Sequence, residues 1–267
     1  MNDNNGVLLE GIISVEAALL SGNREIYTVY VDKEKIKKRD RKIMNFLDLL
    51  TVHGIRAQVC SRDLIDSYAA EKSSLAGNTS GGVIAFCGER KYTSINALIL
   101  KMRQKCGYSV FLDGIEDPYN FGYCIRSLYA AGVCGIIVPK RNWLSVANVC
   151  ARASAGASEL CDICEYPDSD QQNELSTGSE QQFCNYLKQK GIGIVCAAKT
   201  ACSIPYTDFT YSSPFVLFIG GEKRGISKEY MLSADKVLHI PYCDDSIRYS
   251  LPTATVAAIM GFELQKK

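Results

Sequence analysis

The residues best suited to chemistry lie in one stretch, Phe111 to Gly132, FLDGIEDPYNFGYCIRSLYAAG. An apolar run ending at Leu112 stops at Asp113 and Gly114 and passes through a polar loop holding Asp117, Pro118 and Asn120. It then opens into a segment of helical period that carries Arg126. A strand, a loop and a helix that aims an arginine suit the active-site edge of an α/β domain, where a guanidinium meets an anion or a developing charge. The same unit with a solvated arginine is common in α/β folds, so this stretch alone names no reaction.

Absences narrow the choice. There is no GxGxxG after a strand and no GxxxxGK[ST], which argues against an ordinary dinucleotide fold and against P-loop phosphoryl transfer. The two histidines are poorly placed to partner a nucleophile: His53 sits beside a helix-ending glycine and His239 inside a strand. The twelve cysteines are scattered, mostly inside apolar runs, where reduced cysteine behaves as a small core residue. Only Cys161 and Cys164 form a CxxC, with neither a second pair nor a nearby histidine, so they are read as structural and no metal is expected.

The positioning elements follow from length and pattern. A chain of 267 residues, 47% hydrophobic and 22% charged, can bury one large core or two ordinary ones. No apolar run reaches the roughly 18 residues of a membrane span, and the start lacks a signal-peptide pattern, so the expectation is a cytoplasmic protein with no membrane partner. Residues 7–22 are expected as a helix stopped by Gly22, followed by a strand in IYTVYV, a basic stretch from Lys33 to Lys42 and an amphipathic helix ending at Gly54. A strand in IRAQVC, a helix capped by Ser61 and a strand in SGGVIAFC complete a small α/β domain over residues 1–87. Residues 88–105 are expected as a linker containing a short helix, and residues 106–267 as the second domain.

In the second domain, strands are expected at SVFL, GIIVP, LCDICEY, GIGIVCAA, FVLFIGG and KVLHIP. Helices are expected near Phe121 to Ala131, Leu144 to Cys150, Glu180 to Gln189, Lys228 to Ala234 and Thr253 to Gln265. That alternation predicts an α/β fold with a mainly parallel sheet covered by helices on both faces. The segment from Asp168 to Gln182 is polar and reads as an exposed loop leading into a helix. Charge is uneven: residues 1–105 hold 16 Lys and Arg against 12 Asp and Glu, and residues 106–267 hold 14 against 17. The basic run at Lys33 to Lys42 fits a contact to RNA phosphates and equally a solvated helix start.

Two further stretches end predicted strands, FVLFIGGEKRGIS and HIPYCDDSIRYSLPTATVAAIMGFEL. Together with the first, they resemble the three ordered motifs of the SPOUT superfamily, specifically the SpoU/TrmH family of RNA ribose 2′-O-methyltransferases. DPYNFGYCIRS supplies Asp117, Pro118, Asn120, Gly122 and Arg126; GGEKRG supplies Gly220, Glu222 and Gly225; the third supplies Ile240, Pro241, Ser250 and Leu251. ARASAGASEL is similar to a family segment of the SAGA type, and residues 7–87 look like the small substrate-binding domain, of ribosomal-protein-like fold, that many members carry in front.

The resemblance implies a SPOUT-type knotted α/β domain, one of the rare exceptions to unknotted topology, with S-adenosylmethionine as cofactor, ribosomal or transfer RNA as partner and a homodimeric state. It implies a catalytic set of Arg126, Asn120, Glu222 and Ser250, and cofactor binding by Gly220, Gly221, Ile240 and Leu251. Methyl transfer from a sulfonium has a good leaving group built in, so the protein must align the ribose oxygen and help its hydroxyl lose a proton. An arginine base is chemically awkward, which favours Arg126 as an anchoring and activating cation. Asn120 is expected to cap the following helix and orient the site.

One departure stands out. Where the family has Ser-Leu-Asn, this chain has Ser250, Leu251 and Pro252. Proline removes the amide and a backbone N–H, although it suits the first turn of the helix that follows. The preceding loop brings Arg248 and Tyr249 near the site. The rival expectation is therefore an RNA-binding protein of this fold with weakened or lost catalysis.

Overall fold

The computed structural model describes residues 6–72, 80–140, 147–166, 179–244 and 250–265. The chain forms two compact units, Met1–Lys91 with Asn142–Leu160, and Tyr92–Arg141 with Cys161–Lys267.

In the first unit, strand β1 (Val7–Glu10) is followed by helix α1 (Ile12–Ser21) and strand β2 (Ile26–Asp32). Helices α2 (Lys33–Lys37) and α3 (Arg41–Val52), strand β3 (Gln58–Cys60), helix α4 (Arg62–Lys72) and strand β4 (Val83–Cys87) come next. The sheet order is β1-β4-β2-β3, with β4 antiparallel to both neighbours and β2 parallel to β3. The helix expected from Val7 is thus a strand up to Glu10. Gly11, at φ 83°, breaks the chain between the two elements, a conformation open to glycine without steric cost. Leu8 and Leu9 fall into different core clusters, as successive residues of a strand between two covered faces must. Leu9 joins the cluster built on Val29, Val31, Phe46 and Leu50, and Leu8 the one built on Ile65, Ile84 and Phe86.

The basic stretch forms α2 and the start of α3, whose caps are Asp32 and Asp40. Lys33, Lys37, Lys38, Arg39, Arg41 and Lys42 are all exposed.

Two short helices from far along the chain belong to this unit, α7 (Ala147–Ala153) and α8 (Ala157–Leu160). The tight turn between them uses Ala155 and Gly156, both at positive φ. A side chain at Gly156 would lie 2.7 Å from the Ala17 methyl, so α1 packs against the bare backbone there. Buried charge secures the contact. Arg24 Nε donates to Glu159 Oε2 at 2.7 Å, Arg90 Nη1 lies 3.9 Å from the same oxygen, and Asn148 Nδ2 donates to Glu10 Oε1 at 3.3 Å. The expected strand LCDICEY therefore begins only after α8.

The second unit holds helix α5 (Ile95–Lys105), strand β5 (Tyr108–Asp113), helix α6 (Pro118–Ala130), and strands β6 (Ile136–Pro139) and β7 (Ile163–Tyr166). Helix α9 (Glu180–Gln189) and strands β8 (Gly193–Ala197), β9 (Ile204–Pro205) and β10 (Phe215–Gly220) follow. Helix α10 (Lys228–Ser233), strand β11 (Lys236–His239) and helix α11 (Thr253–Gln265) complete it. Its sheet runs β7-β6-β5-β10-β8-β11-β9, with every recorded pairing parallel. Central strands such as β5 and β10 are continuous apolar runs, as both faces of a parallel sheet are covered. Phe111, Phe183, Phe218 and Tyr230 form the aromatic centre of the core. Much of the stretch expected as a linker is α5, capped by Ser94, with Ile95, Leu98, Ile99 and Met102 buried. The two-residue β9 has no counterpart among the expected strands. Of the polar loop, residues 167–178 lie outside the described residues, while Ser179 and Gln182 form a capping box that starts α9.

Cys161 and Cys164 are buried free thiols. Among the described residues no helix is long and apolar enough to cross a membrane, and no group of three His, Cys, Asp or Glu side chains is placed to hold a metal.

Candidate active site

Strands β5 and β10 are parallel neighbours in a register that pairs Asp113 with Gly220, so their following loops leave the same sheet edge side by side. Parallel sheets gather ligands at this edge. The two loops are tied through Asp113: Gly221 N–H donates to its backbone carbonyl at 2.6 Å, and Ser227 N–H donates to its side-chain Oδ2 at 3.1 Å. Burial raises the Asp113 carboxyl above the usual range, and the Ser227 amide pulls it back.

Glycine is required at this junction. A side chain on Gly221 would meet the Gly114 carbonyl oxygen at 2.3 Å, and one on Gly220 would meet the Gly225 carbonyl carbon at 2.2 Å. The close approach that constrains these two glycines is therefore between protein backbones, and neither lines the two recesses described below.

The first motif enters α6 through Asp117, whose Oδ2 accepts from Asn120 N–H at 2.9 Å, with Pro118 at the first helical position. Asp117 is the cap, which corrects the expectation that Asn120 performs this role. Asn120 is left to turn its side chain outward from the helix, and its Nδ2 donates to Glu222 Oε1 at 2.9 Å. The first two motifs are thereby joined by side chains as well as by backbone.

The third motif closes the site at the start of α11. The Pro252 carbonyl accepts from the N–H groups of Thr255 and Val256 at 2.9 and 3.1 Å, so the proline begins the helix. Thr253 Oγ1 donates to the Gly220 carbonyl at 3.2 Å, fastening α11 to the end of β10.

Two recesses flank this start of α11. The larger, about 340 Å³, is walled by Ala197, Ala198, Leu238, Ile240, Leu251, Val256 and Met260, with Lys199, His239, Tyr242 and Ser250 as polar members. Its size and mainly apolar wall suit a small-molecule site, commonly about 300–1,000 Å³. Tyr242 Oη accepts from Leu251 N–H at 3.2 Å, bridging the two limbs of the third motif, and Lys199 Nζ lies 5.7 Å from the Tyr242 ring centre. His239 Nδ1 shares a hydrogen bond with Ser203 Oγ at 3.0 Å. The smaller recess, about 120 Å³, is lined by Gly114, Ile115, Glu116, Asp117, Asn120, Glu222, Lys223 and Thr253.

The expected site residues divide accordingly. Ile240, Ser250 and Leu251 meet at the larger recess, and Asn120 and Glu222 at the smaller. Arg126 lines neither and is exposed on α6. Arg248 and Tyr249 lie outside the described residues. Sequence reasoning passed over Tyr242, Lys199 and Thr253. Tyr242 directly follows the Ile-Pro pair, which was the available signal, whereas Lys199 and Thr253 are marked only by standing at the ends of elements.

Comparison with known proteins points to one family. The model of the SpoU rRNA methylase family matches residues 107–260, and that of the RNA 2′-O ribose methyltransferase substrate-binding domain matches residues 8–93. The chain is 25% identical over 250 residues to a 23S rRNA (guanosine-2′-O-)-methyltransferase RlmB of Shewanella oneidensis, covering 93% of each chain. It is 23% identical over 262 residues to the protein of that name from Coxiella burnetii, covering 96% of this chain and 94% of the other. The AdoMet-bound rRNA methyltransferase of Sinorhizobium meliloti shares the fold with a TM-score of 0.71 at 23% identity, over 98% of this chain and 87% of that one.

Proposed function

The chain belongs to the SpoU rRNA methylase family, and on that footing we propose that it is an S-adenosylmethionine-dependent enzyme that methylates a ribose 2′-hydroxyl in ribosomal or transfer RNA. The observation that carries this reading is the Asn120 to Glu222 hydrogen bond, which joins the first two motifs at one recess while the third motif lines the recess beside it.

The larger recess fits the cofactor by its chemistry: apolar walls for an adenine, and a small set of polar groups for the rest. Ile240 and Leu251 would hold it, with Ser250 and Tyr242 at the same wall. When bound, the cofactor supplies a methyl group on a positively charged sulfur whose leaving group is a neutral thioether.

The chain's own residues supply alignment. Asn120 holds Glu222 at the wall of the smaller recess, which suits a ribose positioned by fixed polar groups. The exposed Arg126 offers five N–H donors and no acceptor, and that composition favours an anchor for an RNA phosphate. Pro252 supports the rival, inactive reading less than its chemistry first suggests, because it starts α11 and keeps the neighbouring Thr253 at the recess.

The reading includes a homodimer, a cytoplasmic setting and the knot. Tyr119 and Tyr123 on α6 and Phe262 on α11 leave large rings exposed on two helices that pack together, a face suited to a second copy. The knot is supported by strand order: β10 lies between β5 and β8, both of which precede it, and the chain after β11 returns so that α11 packs on α6.

Titration calorimetry with S-adenosylmethionine, followed by tritiated methyl transfer into total RNA and nucleoside analysis, tests the proposal. Cofactor binding with label in 2′-O-methyl nucleosides is the expected result. Binding without transfer to any RNA, or label confined to bases, would overturn it.

A further inference from the structure

The smaller recess holds a polar group that no motif assigns. Thr253 is 4% exposed, yet it lines the recess together with Asn120 and Glu222. Its hydroxyl has one proton and two lone pairs, and the proton is committed to the Gly220 carbonyl at 3.2 Å. What the oxygen can offer to the recess is therefore acceptance alone.

The setting fixes that acceptor in place. Thr253 is the first residue of α11, and its β-branched side chain has few rotamers open to it in a helix. The Gly220 carbonyl that orients it belongs to the end of β10, immediately before the loop that carries Glu222. Among the recess-lining side chains, Thr253 alone supplies a hydroxyl; Glu116, Asp117 and Glu222 are carboxylates and Lys223 an ammonium that lies 2.6 Å from Glu116. At about 120 Å³ the recess is several times the roughly 10–15 Å³ that a single water needs, so it can take a group larger than one water. Pro252, one residue earlier, presents neither a polar side chain nor an N–H.

We propose that Thr253 contacts the substrate: its hydroxyl, oriented by the Gly220 carbonyl, accepts a hydrogen bond from a ribose hydroxyl of the target nucleotide. The inference rests on the ribose-methylating reading above and adds to it a residue that sets sugar orientation in this chain. A ribose hydroxyl held as a donor to a buried neutral oxygen has its own lone pair turned away from Thr253, and its direction is then set by the protein instead of by water.

The test compares Thr253→Val, which keeps the branched shape and removes the hydroxyl, with Thr253→Ser, which keeps the hydroxyl. The substrate is rRNA or tRNA from cells lacking this gene. Readouts are kcat, KM for RNA, cofactor affinity by calorimetry and thermal midpoint. Thr253→Val is expected to lower kcat roughly 10- to 100-fold with cofactor affinity within about 2-fold, and Thr253→Ser to restore most of the rate. An undiminished kcat in Thr253→Val overturns the proposal. So does an equal loss in both variants accompanied by falling thermal midpoint and cofactor affinity, which marks a purely structural hydroxyl. If the wild type methylates no RNA, the underlying reading fails and the proposal with it; an active wild type matched by Thr253→Val removes Thr253 alone.

Discussion

Asn120 Nδ2 and Glu222 Oε1 meet at 2.9 Å across 102 positions of sequence, and each residue follows the end of one of the two central strands. A pair of this kind acts as a unit. Asn120→Ala and Glu222→Ala are each expected to lower methyl transfer about 10-fold or more, and the double variant to be hardly worse than the poorer single one. Independent, multiplying losses in a double-mutant cycle would show that the contact has no part in the rate.

Arg126 stands apart from both recesses, on the solvent side of α6. Its replacement by alanine is expected to abolish transfer while leaving cofactor affinity within a few-fold, since Arg126 is not among the residues that wall the larger recess. A wild-type rate in Arg126→Ala contradicts its role, and a lost cofactor affinity contradicts its placement.

Tyr242 bridges the limbs of the third motif through Leu251 N–H. Phenylalanine keeps the ring and removes the bridge, and a net hydrogen bond of about 0.5–1.5 kcal/mol corresponds to roughly a 2- to 10-fold weakening of cofactor binding. Calorimetry on Tyr242→Phe that returns the wild-type Kd refutes the bridge as a support of that recess.

Glu159 lies buried between Arg24 and Arg90. Glu159→Gln removes its charge while the guanidiniums stay buried, and breaking such a pair costs about 3–5 kcal/mol. Urea unfolding should show the loss in the transition of the first unit. A change below about 1 kcal/mol means that the arginines find other partners without strain.

Cysteine reactivity offers a check on burial. Burial pushes the Cys124 and Cys196 thiols up to about 12, so both stay protonated at pH 8, where alkylation needs the thiolate. Cys106, Cys202 and Cys243 are exposed. Mass spectrometry after brief iodoacetamide treatment at pH 8 should find label on these three and none on Cys124 or Cys196 until the protein is unfolded.

The sequence made the order of the motifs legible, and with it their place at the ends of strands, whereas the contact of Asn120 with Glu222 was not legible because 102 positions separate them. Residues 180–189 and 253–265 were legible as helices; Ser179 and Gln182 cap the first, and Pro252 starts the second. Val7–Glu10 was not, since a short apolar run beside a helix has no period of its own to separate strand from helix. Thr253 was passed over because nothing in its neighbours' types shows that its proton is taken by a carbonyl 33 positions away. The packing of α7 and α8 was not legible for a related reason. Their partners, Glu10 and Arg24, lie more than 130 positions upstream.

That last arrangement bears on biosynthesis. A ribosome delivers the four strands of the first sheet long before it delivers α7 and α8, and at about 5–20 residues per second the gap lasts on the order of several seconds. During that interval Arg24 has no Glu159 and the apolar face of α1 that receives Ala151 and Gly156 is bare. The nascent chain must keep this seam open and clean, and a fragment cut at Lys91 would keep it open permanently.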